Sequence, residues 1–408
     1  MKKVLIVITL LISFGLFSCN KTKEDETMWN KKELLNKTTN YWNVGLNYSD
    51  NIRAIMYEGQ IYNEKLTNIF AYLGIPKTPI PDGGYPAVIL IHGGLGKAFP
   101  EWVKMWTDKG YVAIAPDFDA QMSTPETGIN NVVRNNLGGP KGYGVTAINF
   151  EDEENSWLYQ SVSNIVIAHN LLRSIDEVNN KKIGITGISW GSYLTAITLG
   201  VDDRFAFAMP VYGAGFLDED YTSSLYSMFA GMDDNMLSEY QKKFDPSAYL
   251  KDVNIPTFWV QGVNDAAFSP IQKQKAADLI TKTDVFYAYY ANMSHGQEHG
   301  SSRPELFAFA DSIVKEENAI IHVVEESYDD SSLSLKSING VNIQEAYLFW
   351  TDSTEYEIRL AQWYRENVTI TNNIINVNIP AEAQFFFVEI KDQHGNVVSS
   401  KFYRRITI

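Results

Sequence analysis

A serine set between two glycines, Gly187-Ile188-Ser189-Trp190-Gly191, is the pattern in this chain with the clearest chemical content. A serine hydroxyl is a poor nucleophile until a histidine removes its proton, and the imidazolium so formed needs a carboxylate to orient and stabilise it. The glycine spacing alone arises by chance on the order of once in ten chains of this length, so its surroundings must decide. Lys182 to Thr186 reads as a buried strand and Tyr193 to Leu199 as a helix. A nucleophilic serine on a strained strand-to-helix turn requires that setting, with glycines letting the backbone pass closely. The competing reading is a glycine-rich turn with a helix-capping serine.

The chain offers both partners downstream. The apolar run Phe258-Trp259-Val260-Gln261 leads into Gly262-Val263-Asn264-Asp265, which places the Asp265 carboxylate at a strand end. His295, in Met293-Ser294-His295-Gly296, follows the next apolar run and completes the order Ser, Asp, His. His299 is the serious rival, four residues on in the same loop; His295 is preferred because it is nearer the strand end. His169 falls within a helix, while His322 and His394 fall in a later all-β stretch.

Negative charge developing on a carbonyl oxygen must meet preorganised donors, commonly the amide after the nucleophile and one from a glycine loop. Here these are the Trp190 amide and Gly94 in His92-Gly93-Gly94-Leu95-Gly96, with Leu95 the alternative. The His92 ring is assigned a structural hydrogen-bonding role, and the Trp190 indole either shapes an acyl pocket or packs in the core.

Positioning these groups demands strands alternating with helices. Ile52 to Tyr57 and Leu66 to Leu73 read as a leading hairpin, and Ala87 to Ile91 as a buried strand. A helical segment, Phe99 to Lys109, then leads to a strand at Tyr111 to Ala115. Further strands are expected at Phe205 to Val211, Thr257 to Gln261 and Val285 to Tyr290, with a helix from Trp157 to Ser174. Residues 118–156 and 214–250 interrupt the alternation, and such insertions sit above strand C-termini, where substrates bind. Beyond Val314, short alternating runs at Glu345 to Trp350, Tyr356 to Trp363, Ile374 to Ile379 and Phe385 to Ile390 predict a β-sandwich. The expected fold class is therefore α/β: a mostly parallel sheet flanked by helices over residues 46–316, with a small all-β sandwich over 320–408.

Composition narrows the partners. With 34 basic against 49 acidic residues the net charge is −15, which repels phosphate backbones and argues against nucleic acid. No metal site is predicted, since no suitably spaced His, Asp or Cys cluster is present, and no dinucleotide loop or other cofactor is implied. Lys2 and Lys3 precede an apolar run, Val4 to Phe17, too short to span a membrane but suited to a signal-peptide core. Leu16-Phe17-Ser18-Cys19 resembles the lipobox of bacterial lipoproteins, although Phe17 departs from the usual small residue. That resemblance implies a signal peptide over 1–18, a lipid on Cys19 and a tether over 19–45. Cys19 is the only cysteine, so an intramolecular disulfide is excluded. Glu24-Asp25-Glu26 is similar to the surface-export tags of Bacteroidetes lipoproteins, implying a cell-envelope location on the outer membrane.

From about Asn51 to Val314 the chain resembles the acetyl xylan esterase, dienelactone hydrolase and prolyl oligopeptidase branch of the α/β-hydrolases. The stretches that carry it are Phe70 to Pro76, the His92 loop, Gly187 to Ser192, Asp202-Asp203-Arg204-Phe205, Phe244-Asp245-Pro246-Ser247, and the Asp265 and His295 loops. Ser192, where glycine is common, and the bland Ala266-Ala267 depart from the pattern. The resemblance implies an esterase acting on an ester, with an acylated carbohydrate the expected substrate. Two other readings stay open. One is a peptidase, although peptidases of this branch carry a β-propeller that the stretch from Cys19 to Ile52 is too short to hold. The other is a non-catalytic glycan-binding lipoprotein, with Trp350, Trp363 and Tyr364 as sugar platforms or as sandwich core.

Overall fold

The computed structural model describes residues 27–317 and 320–405, so Cys19 and the segment read as signal and anchor lie outside the described residues. Helix α1 (Lys31–Leu35) and strand β1 (Tyr41–Asn43) precede the long hairpin β2 (Ile52–Tyr62) and β3 (Lys65–Gly74). Next come β4 (Tyr85–Ile91), α2 (Pro100–Thr107), β5 (Val112–Pro116), the small hairpin β6 (Gln121–Met122) and β7 (Val133–Arg134), and α3 (Trp157–Arg173). The alternation continues with β8 (Val178–Ile188), α4 (Trp190–Val201), β9 (Phe207–Val211), α5 (Asp234–Lys243) and α6 (Ser247–Leu250). It closes with β10 (Thr257–Gly262), α7 (Pro270–Ala277), β11 (Val285–Tyr290), α8 (Gln297–Ser301) and α9 (Pro304–Val314).

The sheet runs β1-β2-β3-β5-β4-β8-β9-β10-β11, antiparallel through β3 and β5 and parallel from β5 to β11. Every residue of β4, β5, β9 and β10 is buried, because helices cover both faces and a strand between two helical layers has no polar side. Ile89 and Ile91 face the layer of α3 and α4, while Val88 and Leu90 face that of α2 and α9. Parallel pairing from β5 to β11 delivers the C-terminal ends of these strands to one edge of the sheet.

Two readings from sequence need correction. The stretch to residue 45 is not a tether from Trp29 onward. Trp29 is 2% exposed, stacks on Tyr159 and donates Nε1 to Ser163 Oγ at 3.1 Å, while Lys31 Nζ donates to Gly200 O and Arg204 to Leu35 O. The polar composition around Trp29 and Leu34 conceals these two anchors. Second, Tyr356 to Trp363 is not a strand; a 3₁₀ turn spans Glu355–Leu360. Ile358 is buried and Leu360 81% exposed, a difference that residues two apart on one strand face would not show.

The all-β sandwich expected beyond Val314 is present and is joined to the central sheet. Its strands are β12 (Val323–Asp329), β13 (Ser332–Ser337), β14 (Ile343–Thr351), β15 (Tyr364–Asn367), β16 (Ile370–Thr371), β17 (Ile374–Asn378), β18 (Phe385–Asp392), β19 (Val397–Ser399) and β20 (Tyr403–Arg404). Strand β19 pairs antiparallel with β11 at Tyr287 and Ser399, so β19, β18, β14 and β15 extend the central sheet to fourteen strands with β20 beside β18. The second layer is β12-β13-β17-β16. Tyr289, Phe387 and Phe402 pack across the junction, burying an edge of the parallel sheet that would otherwise be open to other chains.

Candidate active site

Ser189 stands between β8 and α4 with φ 60° and ψ −123°, a left-handed conformation that costs a non-glycine residue about 1–3 kcal/mol. Close packing enforces it. A β-carbon on Gly187 would come within 2.1 Å of Gly191 O, and one on Gly191 within 2.1 Å of Ile91 O. The Ser189 amide donates to Val211 O at 2.9 Å, and its carbonyl accepts from Ser192 and Tyr193 as α4 begins. Gly213, just past β9, lies against the same peptide: a β-carbon there would sit 2.3 Å from Ser189 O.

The structure brings Ser189, His295 and Asp265 together. His295 Nε2 lies 2.9 Å from Ser189 Oγ, and its Nδ1 lies 2.7 Å from Asp265 Oδ2. Asp265 is held in turn by the amides of Ala267 and Phe268, donating to Oδ1 at 2.7 and 3.1 Å, and by Gln261 Nε2 at 3.3 Å from Oδ2. Acceptor demand from these amides keeps Oδ2 aimed at the imidazole, whose Nδ1 then carries the proton and leaves Nε2 free to accept one. The side chains of Ala266-Ala267 are bland, yet the backbone of this loop fixes the acid. Tyr212 packs its ring 4.7 Å from His295 and donates Oη to Ser294 O at 2.8 Å.

The other histidines lie elsewhere. His299 is exposed on α8 and outside this hydrogen-bonded chain. His169 is buried against Asp202 at 2.8 Å, His322 stacks on Phe286, and His394 occupies the turn after β18.

The glycine loop after β4 is fixed by His92. Its Nε2 accepts from the Phe118 amide at 2.9 Å, so its Nδ1 carries the proton donated to Gly93 O at 2.7 Å. Burial lowers the pKa of this ring and keeps it neutral. Gly93 approaches the nucleophile closely, since a β-carbon on it would stand 3.0 Å from Ser189 Cβ. Gly94 follows against the rings of Tyr143 and Trp190, where a β-carbon would meet atoms at 2.7 and 2.8 Å. The Trp190 amide opens α4, where the first amides have no carbonyl a turn back within the helix. The indole of Trp190 is 2% exposed and is packed by Tyr143, Trp157, Tyr193 and Phe268. It is core, and Gly144 leaves the room it needs.

Residues 116–312 match the prolyl oligopeptidase family. Among solved structures the chain is similar to an acetyl xylan esterase from Paenibacillus sp. R4, with TM-score 0.57 and 19% identity over 72% of this chain and 96% of that one. It is similar to acetyl xylan esterase 1 from Thermoanaerobacterium sp. JW/SL YS485, with TM-score 0.52 and 14% identity over 70% and 92%. An acylaminoacyl peptidase from Pyrococcus horikoshii gives TM-score 0.50 and 17% identity over 69% of this chain but only 43% of the peptidase. No curated protein matches by sequence. Fold and family match together show that this chain has the α/β-hydrolase fold, with residues 116–312 similar to the prolyl oligopeptidase family.

Proposed function

We propose that the protein is an exported, lipid-anchored serine esterase that deacetylates a carbohydrate. The observation that carries the catalytic part of this reading is the hydrogen-bonded chain from Ser189 Oγ through His295 to Asp265, built on a serine in left-handed conformation. His295 Nε2 takes the Ser189 proton as Oγ attacks the ester carbonyl, and Asp265 stabilises the imidazolium through Nδ1–H. The Gly94 and Trp190 amides receive the oxyanion. Collapse breaks the bond to the alcohol, which leaves with the proton from His295. Water, deprotonated by His295, then attacks the acyl-enzyme and releases the acid.

An ester is favoured over a peptide by extent of likeness: the two structures named acetyl xylan esterases are matched over nearly their whole length, the peptidase over less than half. Export and anchoring rest on the sequence Leu16 to Cys19. A sugar-binding role for the sandwich finds little support in the rings themselves. Trp350 stacks on Tyr364 at 4.4 Å, Arg365 covers Tyr347 at 3.5 Å, and Trp363 packs on Phe387 and Phe402. Hydrolysis of 4-nitrophenyl acetate and of acetylated xylan, with Ser189→Ala alongside, tests the proposal. Acetate release that depends on Ser189 supports it; a folded protein inert on both substrates counts against it.

A further inference from the structure

Lys273 is fully buried on α7, a rare place for a lysine. Its Nζ donates to Pro210 O at 3.0 Å and to Gly213 O at 3.2 Å, and lies 5.0 Å from the centre of the Trp259 ring. These carbonyls bracket the turn after β9, and that turn touches the active site on two sides. Val211 O receives the Ser189 amide, and the Gly213 backbone lies against Ser189 O while Gly213 O also accepts from Ser192 Oγ. Between them Tyr212 is held at φ 69°, a conformation costly for a bulky residue, with its ring on His295 and its hydroxyl on Ser294 O.

We propose that Lys273 is a positioning residue for the Ser189–His295 pair, its amine clamping the Pro210 and Gly213 carbonyls so that the strained turn supports the serine backbone and braces the imidazole. The inference rests on the serine hydrolase reading and adds to it a residue that never meets substrate. Burial disfavours the ammonium form strongly, and the two N–H groups of a neutral amine match the two carbonyls. Without the clamp both carbonyls lose a buried partner, and the turn can relax Tyr212 away from its left-handed conformation.

The test compares Lys273→Met with Lys273→Gln in the full chain, since the two side chains have equal length and only glutamine can donate. On 4-nitrophenyl acetate, Lys273→Met is expected to lower kcat about ten- to a hundredfold with KM unchanged, because a shift of about 1 Å in a reacting pair costs that much. Lys273→Gln is expected to recover roughly threefold or more of the loss, a rescue that packing alone would not give. Wild-type kcat in both variants, or equal losses in both, overturns the proposal. Should Lys273→Met fail to fold, Tyr212→Phe cuts the same brace at Ser294; lowered kcat at unchanged KM supports the clamp, and wild-type kcat overturns it. Ser189→Ala run in parallel separates the two levels: turnover surviving that change defeats the hydrolase reading itself, whereas its loss beside an unaffected Lys273→Met defeats only the clamp.

Discussion

Gly213 and Ser189 meet backbone to backbone: a β-carbon on Gly213 would stand 2.3 Å from Ser189 O, closer than any real contact. A glycine twenty-four residues past the nucleophile therefore sets the height of the serine turn. Gly213→Ala should displace the elbow, destabilising the fold by about 1–3 kcal/mol and lowering kcat on 4-nitrophenyl acetate roughly a hundredfold. Thermal melts and steady-state kinetics on one preparation check both.

Asp265 holds His295 by one oxygen while the Ala267 and Phe268 amides hold the other. Asp265→Asn presents an amide to Nδ1 and favours the wrong tautomer, so kcat should fall by about 10⁴-fold with the fold retained. Steady-state rates with circular dichroism decide it, and a loss under tenfold would remove Asp265 from its role.

His295→Ala should lose at least about 10³-fold in kcat, whereas His299→Ala, outside the hydrogen-bonded chain, should stay within a few-fold of wild type. The reverse ranking would reassign the base.

Asp117, just past β5, is 2% exposed; its Oδ1 accepts from the Asp119 and Gln121 amides, while its Oδ2 makes no hydrogen bond among the described residues and lies 3.9 Å from His92 Nε2. Burial pushes its pKa from 3.8 up to about 8, and the two amides offset this only in part. A carboxyl raised on folding binds more protons folded than unfolded, so its contribution falls as pH rises from about 4 to about 8 and is least favourable above that. The melting temperature of Asp117→Asn relative to wild type should therefore improve steadily between pH 5 and pH 9. A difference independent of pH would show that the acid is already ionised at pH 5.

Trp29→Ala should cost about 3–5 kcal/mol, the usual range for emptying a buried tryptophan site, and leave kcat per folded molecule unchanged. Urea titration and kinetics on the folded fraction measure the two effects separately.

That Ser189, Asp265 and His295 meet is legible because each follows an apolar run suited to a buried parallel strand, and order along the chain then places them at a common edge. The chemistry of their side chains announces them. Gly213, Tyr212 and Lys273 act through backbone carbonyls and torsion angles created by the pairing of β8 with β9, and nothing local marks them beyond a glycine just after an apolar strand. Only the packing of Tyr143, Gly144 and Phe268 around it places the Trp190 indole in the core rather than in a pocket. Pairing of β19 with β11 was equally hidden, since an edge strand's partner leaves no periodicity in either sequence. Trp29 carries no signal in sequence because its charged neighbours dominate the segment.

Ser189 is expected to form the covalent acyl intermediate. Treating the protein with a fluorophosphonate and mapping the adduct by peptide mass spectrometry addresses it directly. One adduct is expected, on Ser189, absent in Ser189→Ala and strongly slowed in His295→Ala. No adduct on the folded wild-type protein, or an adduct on another residue that survives Ser189→Ala, would contradict it.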